Sequence, residues 1–274
     1  MAAVLAVRPR PALFRALGAD DPPREIEVGG QPYRRVEILK HDSWAATALY
    51  EGPTGRIVCK FNRRQSLFGL PMTWLGRRLA LREARMLARL ADLPQVPNLC
   101  GPVTFAGCML PTAVAHEYIP GHPLRRGEVV RVDFFPKLRR LLSEMHRRQM
   151  AYVDLHKREN ILVGDDGEPY LIDFQISLAL TQRWPDTTTL VQMILRLLQR
   201  SDEYHLLKHQ AKSCPDQADR KSLQPPWWIR AHRLLAVPFR EWRRRLLVKL
   251  GIRTGKGRAL SEQFAEDAVR REAA

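Results

Sequence analysis

The segment YVDLHKRENILVGDDGEPYLIDFQIS, residues 152–177, contains the pattern that decides the fold. Two short apolar runs, 161–163 and 170–172, flank a turn rich in glycine and aspartate, and this arrangement predicts a β-hairpin. Asp154 and Asn160 precede the first strand, and Asp173 ends the second. The hairpin is therefore expected to bring two carboxylates and one carboxamide into a small volume.

Oxygen ligands grouped in this way suit Mg²⁺, which is usually held by one or two carboxylates together with substrate phosphates. The alternative is that the Asp and Asn residues only cap turns and that the second Asp only ends a strand. We favour the metal-site interpretation. The alternative requires the order of these residues, their spacing and both apolar runs to match a metal site by accident.

The pattern D-L-H-x-x-x-N-I-L-V, a turn and L-I-D-F resembles the catalytic loop and the metal-binding motif of the protein-kinase-like fold. Within that fold it looks most like the bacterial lipopolysaccharide kinases, the Kdo and heptose kinase group, and more distantly like the aminoglycoside and RIO-type kinases. The resemblance covers roughly residues 35–200 and is most specific in 152–177. It implies that Asp154 is the catalytic base and that Asn160 and Asp173 hold Mg²⁺, with ATP as the phosphoryl donor. His156 and Lys157 would stabilise developing phosphate charge.

Three features depart from the usual kinase pattern. Asn160 lies six residues after Asp154, where five is usual, which requires a bulged loop or makes Glu159 an alternative ligand. Gln175 replaces the glycine of the D-F-G motif. The arginine of H-R-D is replaced by Val153, which cannot pair with a phosphorylated activation loop, so control by that kind of phosphorylation is not expected.

The first half of the chain reads as an antiparallel sheet built from successive short strands. The predicted strands are 25–28, 33–39, 45–50 and 56–61. The turn at 41–47, where a kinase would carry a glycine-rich cover for the phosphates, contains no glycine. A longer run at 63–78, RRQSLFGLPMTWLGRR, is open to three interpretations: a lid, a surface that contacts lipid, or a packed loop.

Lys60, on the strand I-V-C-K, resembles the kinase lysine that holds the α- and β-phosphates. Glu83 is the only acidic residue between Lys60 and Asp92, and helical spacing places it on the apolar, inward face. An inward carboxylate is costly unless it is paired, so we expect an ion pair between Lys60 and Glu83. A surface bridge from Glu83 to Arg82 or Arg85 is the alternative.

Residues 112–119 read as a buried strand that ends at Pro120 and Gly121. This strand resembles the hinge between the two lobes of a kinase, where main-chain groups from Glu117 to Ile119 would meet the adenine edge. His116, an isolated histidine near the strand end, is interpreted as structural.

The chain leaves little room for an activation segment. Asp186, where the next helix is predicted to start, lies only thirteen positions after Asp173. Protein kinases place a long segment with an A-P-E end here as a platform for peptides, so its absence favours a compact, non-peptide hydroxyl acceptor. Asp186 is expected to cap the helix and, by the resemblance, to brace the catalytic loop.

The formal net charge of +16 indicates an acidic partner: nucleotide phosphates, an anionic membrane or glycolipid, or nucleic acid. Residues 220–258 hold twelve Lys and Arg against one acid, Glu241. A basic amphipathic helix is predicted there, which either lies on an anionic membrane or packs on the helical lobe. Its apolar face consists of Phe239, Trp242, Leu246, Leu247 and Leu250. Nucleic acid is less favoured, because no recognised binding module accompanies the charge.

Four cysteines without a C-x-x-C pair predict reduced thiols in a cytosol. The apolar start MAAVLAV is interrupted by Arg8 and Arg10 and is too short for a signal peptide or a membrane span. The expected location is the cytoplasm, with the inner face of the cytoplasmic membrane as a second option.

Taken with the resemblance, these observations predict a two-lobed, protein-kinase-like α+β fold with its active site in the cleft between the lobes. A loosely ordered arm (1–23), a mostly antiparallel β lobe (24–117), a mostly helical lobe (118–258) and a frayed tail (259–274) are expected. The expected activity is transfer of the γ-phosphoryl group of ATP, with Mg²⁺, to a hydroxyl, first of all on a lipopolysaccharide sugar. The rivals are a protein serine/threonine kinase and an ATP-binding pseudokinase or adaptor.

Overall fold

The computed structural model describes residues 11–181 and 188–214, together with Trp242. The described residues belong to two compact units. The first contains 11–81 and 100–118, and the second contains 82–99, 119–181 and 188–214. Asp186, the tail and, apart from Trp242, the predicted basic helix lie outside the described residues. No helix in the described ranges has the length and apolar character needed to span a bilayer.

The first unit is built on an eight-stranded sheet with the strand order β5-β8-β4-β3-β2-β1-β6-β7. From β8 across to β7 every neighbouring pair is antiparallel. The strands are β1 (Glu25–Val28), β2 (Gln31–His41), β3 (Ala45–Gly52), β4 (Gly55–Asn62), β5 (Leu99–Gly101), β6 (Val103–Phe105), β7 (Cys108–Met109) and β8 (Ala113–Glu117).

The core of this sheet follows the two-residue period of its strands. Alternate residues of β3 and β4 are buried on one face, and the rings of Tyr50 and Phe61 lie 6.2 Å apart. Ile26 and Val28 of β1 complete the buried face. The four strands predicted between residues 25 and 61 are all observed, and β2, β3 and β4 are longer than expected.

The described part of the predicted arm, residues 11–23, packs on the first unit. A 3₁₀ turn, Ala12–Phe14, leads into Ala16 and Leu17, which are buried. The buried side chain of Arg63 explains the packing, because its guanidinium donates to the carbonyl oxygens of Leu13 and Ser43, each at 2.7 Å. One buried cation therefore ties the N-terminal segment to the turn between β2 and β3.

The second unit is mostly helical. It takes its elements from α1 (Thr73–Arg89), which enters this unit at Arg82, and from β9 (Gly121–Pro123), α2 (Phe134–Arg147), β10 (Met150–Ala151), β11 (Ile161–Gly164), β12 (Pro169–Leu171), β13 (Leu178–Ala179) and α3 (Thr189–Ser213). The strands form a three-stranded sheet, β12-β11-β9, and a pair, β10-β13.

Helix α2 buries its apolar stripe, as its spacing predicts. The buried residues are Phe134, Phe135, Leu138, Leu141, Leu142 and Met145. The first half of the chain forms an antiparallel sheet, and helices α2 and α3 follow in the second half. The predicted α+β class is therefore confirmed.

Replacing Arg63 by alanine is expected to lower the free energy of unfolding by about 3 kcal/mol, because carbonyl groups that now accept its hydrogen bonds would lose their donor. Its neighbour Arg64 is exposed and lies 3.6 Å from Asp20 in a surface ion pair. Arg64→Ala is the control and should change stability by no more than about 0.5 kcal/mol. Urea unfolding measures both, and equal losses would contradict the assignment.

Candidate functional site

The predicted hairpin is formed by β11 and β12, which pair through Ile161 with Leu171 and Val163 with Pro169. Beyond the last pair, the amide of Ile172 donates to the carbonyl of Asn160 at 3.1 Å. The residue before Asp173 is thus bonded to Asn160. The sequence argument that the two strand ends meet is confirmed for the main chain.

Asp154 and Asn160 form a buried pair, with 2% and 6% of their surfaces exposed. The side-chain amide of Asn160 donates to Oδ2 of Asp154 at 3.0 Å and lies 3.5 Å from its carbonyl oxygen. A 3₁₀ turn, Arg158–Asn160, absorbs the extra residue of the six-residue spacing. Glu159 is exposed, so Asn160 is the residue that the turn directs to Asp154.

Tyr152 links this pair to the second strand. Its hydroxyl donates to the carbonyl of Ile172, and its ring packs edge-on against Phe174 with centroids 5.3 Å apart. Burial raises the pKa of Tyr152 well above its usual range, and the nearby carboxylates of Asp173 and Asp154 raise it further. The phenol therefore stays protonated and acts as a donor, within electrostatic reach of both aspartates.

The loop that leads to Asp154 is braced by Asp202 on α3, a residue that the sequence argument missed. Its Oδ2 accepts from the amide of Tyr152 at 2.7 Å, and its Oδ1 accepts from the amide of Val153 at 2.8 Å. Nε2 of His146 lies 3.3 Å from the same carboxylate. The prediction gave the bracing role to Asp186, which lies outside the described residues. Asp202 gave no signal in the sequence, because a carboxylate in a helix normally faces solvent.

The two carboxylate oxygen atoms of Asp154 differ in their hydrogen bonding. Oδ2 accepts from Asn160 and from Nζ of Lys157 at 2.7 Å, whereas Oδ1 is buried and accepts no hydrogen bond. Nδ1 of His156 lies 3.3 Å from Oδ1, and the His156 ring lies 5.9 Å from that of His205. His156 and Lys157 are exposed. Two basic side chains therefore lie beside a buried carboxylate, one oxygen of which accepts no hydrogen bond from the described residues.

The residues present fit a magnesium ion that is shared with a substrate. In the described part of the chain no three His, Cys, Asp or Glu side chains form a ready metal cluster. Mg²⁺ does not need one, because it keeps several waters and takes one or two carboxylates plus phosphate oxygens. Asn160 and Asp173 would supply the oxygen donors, and the buried Oδ1 of Asp154, which accepts no hydrogen bond from the described residues, would add negative charge.

The remaining predicted residues lie at the sheet or in α1. Lys60 is a buried residue of β4, opposite Thr47 and Val114, and belongs to the first unit. Glu83 is 2% exposed, as its inward position on α1 predicts, and belongs to the second unit. The predicted ion pair between them stays a prediction.

The predicted hinge follows β8. The carbonyl of Glu117, expected to meet the adenine edge, lies 2.8 Å from Nδ1 of His116. The amide of Tyr118 donates to Arg56 of β4 at 3.2 Å. Ile119 is the first residue of the second unit after β8. The carbonyl of Glu117 and the amide of Tyr118 are therefore already engaged in hydrogen bonds within the first unit.

The glycine-free turn at 41–47 is closed by its own aspartate. Oδ1 of Asp42 accepts from the amides of Trp44 at 2.7 Å and Ala45 at 2.9 Å. Burial acts to raise the pKa of Asp42, but Lys40 and these amide donors outweigh it, and the pKa is lowered. A carboxylate thus uses the N–H groups that a phosphate-covering turn would offer.

Comparison with known proteins gives a structural likeness only. The chain is similar to the Rio2 kinase from Chaetomium thermophilum, with a TM-score of 0.47 and 13% sequence identity over 67% of this chain. It spans 57% of that chain, a little over half its length. No protein-family model and no curated protein matches the sequence. The proposed function therefore rests on the site residues and not on this structural likeness.

Replacing Asp202 by asparagine is expected to cost about 2 kcal/mol of unfolding free energy, because an amide offers only one acceptor to two buried N–H groups. Glu203, its exposed neighbour on α3, provides the matched control, Glu203→Gln, which should be near neutral. Chemical denaturation reports the difference. A stable Asp202→Asn protein would show that the brace is dispensable.

His209 on α3 predicts a pH dependence. Its Nε2 donates to the carbonyl of Leu155 at 2.8 Å, and burial lowers its pKa to about 4, with Lys212, Arg158 and Lys208 adding to the shift. The unfolded chain, with a histidine pKa of about 6.5, binds more protons between these values, so stability falls as the pH drops through this window.

His209→Gln should remove part of that acid sensitivity, at most about 3 kcal/mol. Its amide can still donate to the Leu155 carbonyl. The measurement is the unfolding free energy of both proteins at about pH 7 and about pH 4.5. Parallel curves for the two proteins would exclude His209 as the titrating group.

Proposed function

We propose that this protein is a kinase that transfers the γ-phosphoryl group of ATP to a hydroxyl group, with Mg²⁺ as cofactor. The observation that carries the proposal is the buried Asp154–Asn160 pair, joined through the Asn160 carbonyl to the strand that leads to Asp173. A carboxylate with one available oxygen, beside a carboxamide and a second carboxylate, is the set that phosphoryl transfer requires.

Asp154 is the proposed base. Because Asn160 and Lys157 hold Oδ2, the carboxylate is fixed in orientation, and Oδ1 remains to accept the proton of the acceptor hydroxyl. His156 and Lys157 would stabilise the negative charge that develops on the transferred group. Fixing these groups before the substrates bind lowers the reorganisation needed at reaction.

Asn160 and Asp173 would hold the magnesium ion, which when bound neutralises charge on the phosphate oxygens. By the resemblance, Lys60 paired with Glu83 would hold the α- and β-phosphates, and main-chain groups of Glu117 and Ile119 would contact the adenine. These assignments complete the proposed ATP site.

A lipopolysaccharide sugar is the proposed acceptor. Two features support a non-peptide substrate: the short connection from Asp173 to the start of α3 at Thr189, and a net charge of +16, which suits an anionic glycolipid. The proposed location is accordingly the cytoplasm, at the inner face of the cytoplasmic membrane.

One observation favours a second candidate, a nucleotide-binding adaptor without catalysis. The turn at 41–47 has no glycine, and Asp42 occupies the amides of Trp44 and Ala45. A carboxylate there would repel a phosphate placed close to it. An adaptor of this kind would bind a nucleotide weakly and would not depend on Asp154.

Replacing Asp154 by asparagine should lower the rate of ATP turnover with Mg²⁺ by about 10²- to 10⁴-fold, since the variant keeps the shape of the side chain but cannot accept the proton. Asp165→Asn is the control, because Asp165 is an exposed carboxylate in the turn of the same hairpin. Phosphate release by the purified proteins is the measurement. Equal turnover by wild type and Asp154→Asn would favour the adaptor.

The acceptor is tested with the same variants and ATP labelled in the γ-phosphate. Wild type, but not Asp154→Asn, should transfer the label to purified lipopolysaccharide core. Mass analysis of the glycolipid from cells with and without the gene should show the loss of one phosphate. Label found instead on the enzyme or on a general protein substrate would identify a protein kinase.

A further inference from the structure

Three large apolar side chains are exposed where the chain passes from β4 into the first turn of α1, two in the connection and one, Trp74, on the helix itself. Phe68 is 76% exposed, Leu70 is 67% exposed and Trp74 is 60% exposed. We call residues 66–74 the apolar loop. It lies wholly within the first unit and takes no part in the proposed catalytic chemistry. Exposed apolar clusters of this kind mark contact with a partner or a membrane.

The tip of the apolar loop is a tight, hydrogen-bonded turn. Leu67 and Leu70 exchange both main-chain hydrogen bonds at 3.0 Å, and the two residues between them have positive φ angles, 49° for Phe68 and 81° for Gly69. Glycine adopts such a φ freely, but a bulky aromatic residue does so rarely. The strained Phe68 is therefore held outward by the turn.

The base of the apolar loop is also fixed. The guanidinium of Arg63 donates to the carbonyl of Ser66 at 3.3 Å, and Thr73 Oγ1 lies 3.5 Å from the carbonyl of Arg64. At Gly76 a Cβ atom would lie only 2.2 Å from the Arg63 carbonyl, so the first turn of α1 packs directly on the β4 end. The loop thus presents its apolar residues from a fixed platform.

The surroundings of these residues are basic. No aspartate or glutamate occurs from residue 61 to residue 82. Arg77 and Arg78 are exposed and follow Trp74 by three and four positions on α1, which places them on the same helix face. Arg64 is exposed too, with Asp20 at 3.6 Å as its acidic partner.

Exposed aromatic and aliphatic residues beside arginines, in a segment of sequence that contains no acidic residue from 61 to 82, match the interface of an anionic bilayer. Tryptophan prefers the depth of the headgroups, and basic residues gain from anionic lipids. The tip is a tight turn with exposed side chains, which suits insertion between lipid headgroups.

We propose that the apolar loop docks this protein on an anionic lipid bilayer, with Phe68, Leu70 and Trp74 entering the headgroup region and Arg77 and Arg78 contacting lipid phosphates. This docking does not depend on phosphoryl transfer. It assigns membrane contact to a segment different from the predicted basic helix at 239–250.

The test is co-sedimentation of the full chain with vesicles of phosphatidylcholine, with and without phosphatidylglycerol. Wild type should bind only the anionic vesicles. The triple variant Phe68→Ser, Leu70→Ser, Trp74→Ser should bind at least about tenfold more weakly, because the apolar insertion is lost. Arg77→Glu with Arg78→Glu should weaken binding to a similar degree and reduce its salt dependence.

The matched control is Phe105→Ser with Met109→Ser, which removes apolar residues of β6 and β7 that are 46% and 67% exposed. It should bind as wild type does, and circular dichroism should show all variants folded. Undiminished binding by the triple variant would overturn the proposal. So would loss of binding only on deletion of 239–250, or a wild-type dimer that the triple variant abolishes without vesicles.

Discussion

The site depends on one interaction, the buried carboxylate of Asp202 with the main chain that precedes Asp154. Its two oxygen atoms accept from the amides of Tyr152 and Val153, at 2.7 and 2.8 Å. Val153 has a φ of 72°, a conformation that a β-branched residue adopts only under constraint. A buried charge is tolerated only when it is well bonded. Here those bonds hold the strained main chain, and so the carboxylate and the loop stabilise each other.

The side chain of Tyr152 connects the segment held by Asp202 to the end of the hairpin at Asp173. The ring of Tyr152 packs on Phe174, and its hydroxyl donates to the carbonyl of Ile172, next to Asp173. On the other side, Ser177 Oγ donates to the carbonyl of Tyr152 at 3.0 Å. Tyr152 thus connects the loop before Asp154 with the strand before Asp173 through its phenol, and with the segment after Asp173 through its main chain.

The local sequence pattern was sufficient to predict the hairpin, the packed helix α2 and the inward position of Glu83. Hydrophobic periodicity and turn formation depend on residues that are near neighbours in the sequence. It was not sufficient for the partner of the catalytic loop. Leu190 and Met193 give α3 an apolar spacing, yet they are exposed, and Asp202 and His209 are buried instead. Whether a polar side chain can be buried depends on the main-chain groups with which it forms hydrogen bonds. Here those groups belong to segments distant in the sequence, so no local sequence pattern predicts the burial.

Each of the two units contains a buried ionic side chain that is hydrogen-bonded to main-chain groups of a loop. Arg63 in the first unit and Asp202 in the second are buried ions bonded to main-chain groups of segments far apart in the sequence. An apolar residue of similar volume can replace some buried ions, but here it would leave main-chain donors or acceptors without partners. The ions therefore fix loop geometry that packing alone would not specify. In the first unit that geometry is the closed turn at 41–47 and the base of the apolar loop, and in the second it is the approach to Asp154.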